Sequence, residues 1–300
     1  MIQKPLLLYI PGLLPKPEAE THRDALLRCL LAGIGREDAE VADQISRHRE
    51  SFDVVSWTYD FYGEHRDFAL DAASVVDVIE QRGALRLDIH EATSTIRRLA
   101  RWLYTLGDLL PFLIPHVANE RMELHLRDLR RYCRNENDIA EHVRQMLKMP
   151  LRAASEAKRP ILLLAHSMGS VIAFEALRQT SHDDGPVVAV DLLLTMGSPL
   201  GQRYIQDRIN GNDAAGILKW PNNIRRWVNL SAVGDLTAID PVLADDYADM
   251  QEQGLLEEIE DRPLFNYFRL NGHLNVHSEY GYLVNEVTAK IVTEWWRKAI

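Results

Sequence analysis

Ser167 lies in the stretch 161–177, ILLLAHSMGSVIAFEAL. Ile161 to Leu164 form a continuous apolar run bounded by Pro160, the pattern of a strand buried on both faces. After Met168 the pattern changes, and Val171, Ile172, Phe174, Ala176 and Leu177 fit a largely buried helix. A serine on so sharp a strand-to-helix turn needs small residues two before and two after it, here Ala165 and Gly169. The frame is G-x-S-x-G with Ala in the first position. It presents the hydroxyl at the carboxyl end of a strand, with a helix N-terminus and its free N–H groups behind. Given a histidine to take its proton and a carboxylate to orient that histidine, such a serine attacks acyl carbonyls.

Motif and context together resemble the α/β-hydrolase superfamily, in particular its serine esterases and lipases. The resemblance implies a triad in chain order Ser…Asp…His, the acid following a downstream strand and the base following the last one. Asp235 takes the acid's place, just beyond Arg226–Val233 (RWVNLSAV) and Gly234. Asp240, in Ile239-Asp240-Pro241-Val242, is its rival and otherwise a turn or cap residue. His277 is the expected base, being farther from the strand, next to the closing helix and in a His-x-x-Tyr similar to that of related lipases; His273 is the alternative. His166 matches the frequent histidine of lipase elbows and is expected to point away from the base's position. Ser198, in Gly197-Ser198-Pro199-Leu200, lacks the small-x-Ser-x-small frame and reads as a turn or pocket residue. Pro11-Gly12-Leu13 stands where such proteins carry His-Gly-apolar, with Pro in place of His. By that resemblance the Leu13 and Met168 N–H groups form the oxyanion hole.

The implied activity is hydrolysis of a carboxylic ester, from a small molecule or a lipid, through an acyl-enzyme and with no metal or organic cofactor. An acyltransferase or peptidase using the same triad is the alternative, as is a non-catalytic binding protein on this fold.

The elements that must position these residues read as one α/β-hydrolase domain over 1–300, with a mostly parallel sheet, helices on both faces and a helical insertion at about 82–150. Expected strands are Leu6–Ile10, Asp53–Tyr59, Ile161–Leu164, Val187–Met196, Arg226–Val233 and Leu264–Leu270. A helix is expected over Glu18–Leu31, ending at Gly33-Ile34-Gly35, and another over Leu283–Trp296. Asp60-Phe61-Tyr62-Gly63 is expected on the face where active sites form, its aromatics lining a pocket or packing a loop. The acidic run Ala244–Asp261 reads as helical, solvated charge. In the insertion, Ile96, Leu99, Leu103 and Leu106 keep helical spacing, as do Met122, Leu126, Leu129 and Cys133, and then Ile139, Val143 and Leu147. Between the first two groups, Gly107–Val117 is apolar and broken by Pro111 and Pro115, the look of a hinged tip or lid.

With 34 basic and 44 acidic residues the net charge is −10, which argues against a nucleic-acid partner. Residues 82–148 hold twelve basic and nine acidic residues, so this part is about +3 and the rest about −13. A solvated helical face explains that excess most simply. The sharper reading is a peripheral contact of the insertion with an anionic membrane. Cys29 and Cys133 make no disulfide framework. No apolar run is long enough to span a bilayer, and the N-terminal MIQKPLLLYIPG reads as a buried strand rather than a signal peptide, so the expected location is cytoplasmic.

Overall fold

A computed structural model describes residues 4–101, 120–182 and 187–300, with backbone alone over 120–126. Six parallel strands form the central sheet: β1 (Leu6–Ile10), β2 (Phe52–Val54), β3 (Ile161–His166), β4 (Val190–Met196), β5 (Ile224–Ala232) and β6 (Glu258–Leu264). Their spatial order is β2-β1-β3-β4-β5-β6. The chain runs outward from β1 to β2, then returns to place β3 on the other side of β1. The order therefore reverses between β1 and β3. The loops leaving two such strands diverge, which opens a crevice at their carboxyl ends.

The apolar runs explain the layering. Side chains alternate across a strand, so a strand that is apolar at every position needs cover on both faces. Leu6, Leu8, Ile10, Ile161, Leu163 and Ala165 face one core, closed by the helices Ile139–Glu156 and Met168–His182. Leu7, Tyr9, Leu162, Leu164, Leu192 and Leu194 face the other, closed by Ala19–Glu37, Ala69–Glu80 and Glu286–Ala299. Ile139, Val143 and Leu147 keep the expected helix and are buried.

Several elements depart from the sequence expectation. The first helix runs through Gly33 and Gly35 to Glu37. Gly33 serves close approach rather than termination, because a Cβ there would stand 2.8 Å from the Val284 carbonyl oxygen. Strand β2 ends at Val54, and Thr58–Tyr62 turns into a short helix. The acidic run splits into two short helices, Leu243–Asp246 and Ala248–Glu252, and then enters β6, so its final charges lie on an edge strand. The expected strand at Leu264–Leu270 is instead the end of β6, a connection, and one arm of a two-stranded hairpin pairing Arg269–Leu270 with His273–Leu274.

Residues 95–101 are helical. Leu103, Leu106 and the apolar tip Gly107–Val117 lie outside the described residues, as do the side chains of Met122 and Leu126. Cys29 is buried and Cys133 half-buried, both as free thiols. Among the described residues no helix is long and apolar enough to cross a membrane.

Candidate active site

The candidate residues meet at the carboxyl end of β3, beside the reversal point. β3 ends at His166, and the helix beginning at Met168 leaves it after a single residue, Ser167. That turn forces Ser167 to φ 53°, in the left-handed region that costs a non-glycine residue about 1–3 kcal/mol. Gly169 permits it: a Cβ there would stand 2.4 Å from the Ile10 carbonyl oxygen and 2.7 Å from that of Pro11. The Ser167 N–H is held by the Met196 carbonyl at the end of β4.

Ser167, Asp235 and His277 come together. His277 Nε2 is 2.9 Å from Ser167 Oγ, and His277 Nδ1 is 2.8 Å from Asp235 Oδ2. Asp235 lies just past β5 and is 2% exposed. Its Oδ1 accepts the Thr237 N–H, and its Oδ2 also accepts the Tyr282 hydroxyl at 2.9 Å. Burial pushes the Asp235 carboxyl up. The facing His277 imidazole, with the hydrogen bonds from His277, Thr237 and Tyr282, outweighs burial and holds it below the usual carboxylate value. The carboxylate therefore stays ionised and fixes a proton on Nδ1, leaving Nε2 free to accept one from the serine.

The rivals lie elsewhere. Asp240 is exposed and its Oδ1 accepts the Val242 N–H, a local turn contact. His273 is exposed in the small hairpin, paired with Leu270. Ser198 is buried, its hydroxyl 2.7 Å from that of Ser170 and accepting the Leu200 N–H.

The loop after β1 reaches Ser167. A Cβ on Gly12 would stand 2.6 Å from Ser167 Cβ and 3.1 Å from its Oγ, so the glycine backbone lies directly against the serine. Leu13 follows it, half-buried on the core. Met168 opens its helix, so its N–H has no intrahelical acceptor. Trp57 Nε1–H donates to the Pro11 carbonyl, and the Leu14 N–H donates to the Tyr62 hydroxyl.

Behind the histidine loop sits a buried charge cluster that sequence reading missed. Glu279 accepts from Lys16 Nζ, from His22 Nε2 and from the Tyr9 hydroxyl, at 3.0, 3.0 and 2.9 Å. Burial alone would raise its carboxyl, but Lys16 and His22 hold it well below the usual value. The cluster ties the loop carrying His277 to β1 and to the first helix. Tyr282 was missed as well, for want of any local motif.

Arginines from the insertion also reach the site. Arg97 Nη1 donates to the Gly234 carbonyl and Nη2 to that of Leu274, so one guanidinium bridges the acid loop and the histidine loop. Arg101 donates to the Ile239 carbonyl, and Arg131 to that of Phe61. Part of the insertion's basic excess is thus turned onto the protein itself.

Among the described residues no cluster of three His, Cys, Asp or Glu side chains could hold a metal ion. Comparison with protein-family models, with curated proteins and with solved structures finds no match to this chain.

Proposed function

We propose that this chain is a serine hydrolase of the α/β-hydrolase fold that cleaves a carboxylic ester. The observation that carries the proposal is the unbroken path from Asp235 through His277 to Ser167, ending on a serine held at positive φ between a strand and a helix. A structural serine has no need of strained backbone or of a histidine–carboxylate pair aimed at its hydroxyl.

In the acylation step His277 Nε2 takes the proton as Ser167 Oγ bonds to the acyl carbon. The carbonyl oxygen becomes an oxyanion, received by the Leu13 and Met168 N–H groups. Collapse breaks the bond to the alcohol oxygen, which leaves with the proton from the imidazolium. Water then enters, gives a proton to His277 and attacks the acyl-enzyme. Collapse frees the carboxylic acid and returns that proton to Ser167. Asp235 stays ionised throughout and steadies the imidazolium.

The test is labelling with a fluorophosphonate, followed by turnover of a p-nitrophenyl ester series of increasing acyl length. Wild-type protein should label once and hydrolyse at least the short esters, and Ser167→Ala should do neither while keeping its fold. Labelling of Ser167→Ala at full stoichiometry would move the nucleophile elsewhere.

A further inference from the structure

We infer that Tyr62 and Asp128 are positioning residues of the oxyanion loop, pinning it from the helix Glu120–Cys133 on the insertion side of the site. The inference rests on the hydrolase reading above and extends it to two residues outside the triad.

Residues 11–14 are joined by three successive peptide planes. The proposed donor, Leu13 N–H, belongs to the plane between Gly12 and Leu13. The plane before it contains the Pro11 carbonyl, which accepts from Trp57 Nε1 at 2.9 Å. The plane after it contains the Leu14 N–H, which donates to the Tyr62 hydroxyl at 3.0 Å. The donor plane is thus flanked by two planes that are each held by a hydrogen bond from outside the loop.

The second tether has more to do than the first. Leu14 sits at φ 75°, where a leucine is strained, and it is exposed rather than locked by packing. Without a hold on its N–H, the loop is free to relax to ordinary backbone and swing the neighbouring plane. Tyr62 accepts from Leu14 and in turn donates to Asp128 Oδ2 at 3.0 Å. Asp128 is buried, and its other oxygen accepts from Arg127 Nε and Nη2. Burial raises the Tyr62 phenol, and the Asp128 charge adds to this, so the hydroxyl keeps the proton it must donate. The same helix grips the Tyr62 turn a second time, through Arg131, which donates to the Phe61 carbonyl and lies 4.3 Å over the Phe61 ring.

The experiment compares wild type, Tyr62→Phe, Asp128→Ala and Tyr62→Phe/Leu14→Gly on a p-nitrophenyl ester. Rates are expressed per serine titrated to end point with a fluorophosphonate, and thermal midpoints are recorded alongside. Tyr62→Phe should lower kcat about tenfold with KM within about twofold, short of the 10²–10³ lost with an oxyanion donor itself. Asp128→Ala should do the same. Leu14→Gly, which accepts positive φ without strain, should restore most of the lost kcat in the Tyr62→Phe background. A merely structural tyrosine would lower the thermal midpoint and gain nothing from a glycine at 14. Wild-type protein that labels and turns over, with Tyr62→Phe unchanged or unrescued, overturns the inference alone. Wild-type protein that neither labels nor turns over overturns the hydrolase reading and this inference together.

Discussion

His166 holds the backbone of His277: its Nε2 lies 2.9 Å from the His277 carbonyl oxygen, with the two rings 4.8 Å apart. The carbonyl can only accept, so Nε2 carries the proton and Nδ1 is left as a buried lone pair with no partner among the described residues, close to Gly12. Burial, reinforced by the neighbouring His277, brings the His166 pKa down to about 3. His166 is therefore a neutral strut for His277.

A pH dependence of stability follows. The unfolded chain protonates His166 near pH 6.5 and the folded one only near 3. Between those values the unfolded state binds more protons, so this residue's contribution is complete above pH 6.5 and is lost as pH falls toward 3, at up to about 1.4 kcal/mol per unit. His166→Gln, which keeps a donor for the His277 carbonyl, should flatten the stability curve between about pH 6.5 and 5.5, above the range in which Asp235 and Glu279 add slopes of the same sign. Denaturant melts across that window decide it, and parallel curves would refute the claim.

Asp235 and Tyr282 should separate by size of effect. Asp235→Asn removes the charge that fixes the His277 tautomer, and kcat should fall by about 10³–10⁴. Tyr282→Phe removes one of the hydrogen bonds to that carboxylate and the acceptor of the Ala232 N–H. Its effect on kcat should stay within about tenfold, because the His277 and Thr237 hydrogen bonds to Asp235 remain. An Asp235→Asn enzyme with wild-type turnover would return Asp240 to the acid's role.

How far the sequence disclosed this arrangement depends on how local each signal is. Ser167 and its turn were legible because strand, small residues and helix lie within one short stretch, and β1 and β3 because buried parallel strands leave unbroken apolar runs. β6 was not legible: EIEDRPL has an edge strand's mixed polarity and follows an acidic helical run. Gly33 misled because a glycine serving close approach looks the same in sequence as one ending a helix. Tyr62, Arg97, Asp128, Glu279 and Tyr282 carry no motif. Their long-range contacts span from 47 to 270 positions, and only the folded chain brings the partners together.

Arg97 offers a test of the link between the insertion and the triad. Its guanidinium serves the Gly234 and Leu274 carbonyls at once, one just before Asp235 and the other three residues before His277. Arg97→Met keeps the apolar stem and removes both donors. Stability should fall by about 1–3 kcal/mol, and kcat should drop several-fold through loosened Asp235–His277 geometry. If kcat per titrated serine is unchanged while stability falls, the arginine stabilises the fold without affecting the triad.

Gly197 gives the most direct probe of how closely the triad is fitted. It lies at φ 57° just past β4, and a Cβ there would stand 2.9 Å from both Asp235 Oδ2 and His277 Nδ1. The two atoms that share the triad's inner hydrogen bond are the two that a methyl group would strike. Gly197→Ala thus incurs two separate costs: backbone strain of about 1–2 kcal/mol at positive φ, and displacement of the acid–base pair. Gly254→Ala isolates the first, because Gly254 has φ 69° and open space around its would-be Cβ. Gly254→Ala should lose only the strain in denaturant melts, and Gly197→Ala more, the excess coming from the displaced pair. Only Gly197→Ala should lose turnover, by about 10²-fold or more, since a shift near 1 Å in a reacting group costs that much. Ser167 in that variant should also label more slowly with the fluorophosphonate, because the same histidine must take its proton. Equal turnover in the two glycine variants would mean that the pair tolerates a methyl group in its midst, and that the geometry around Asp235 and His277 is looser than their hydrogen bond implies.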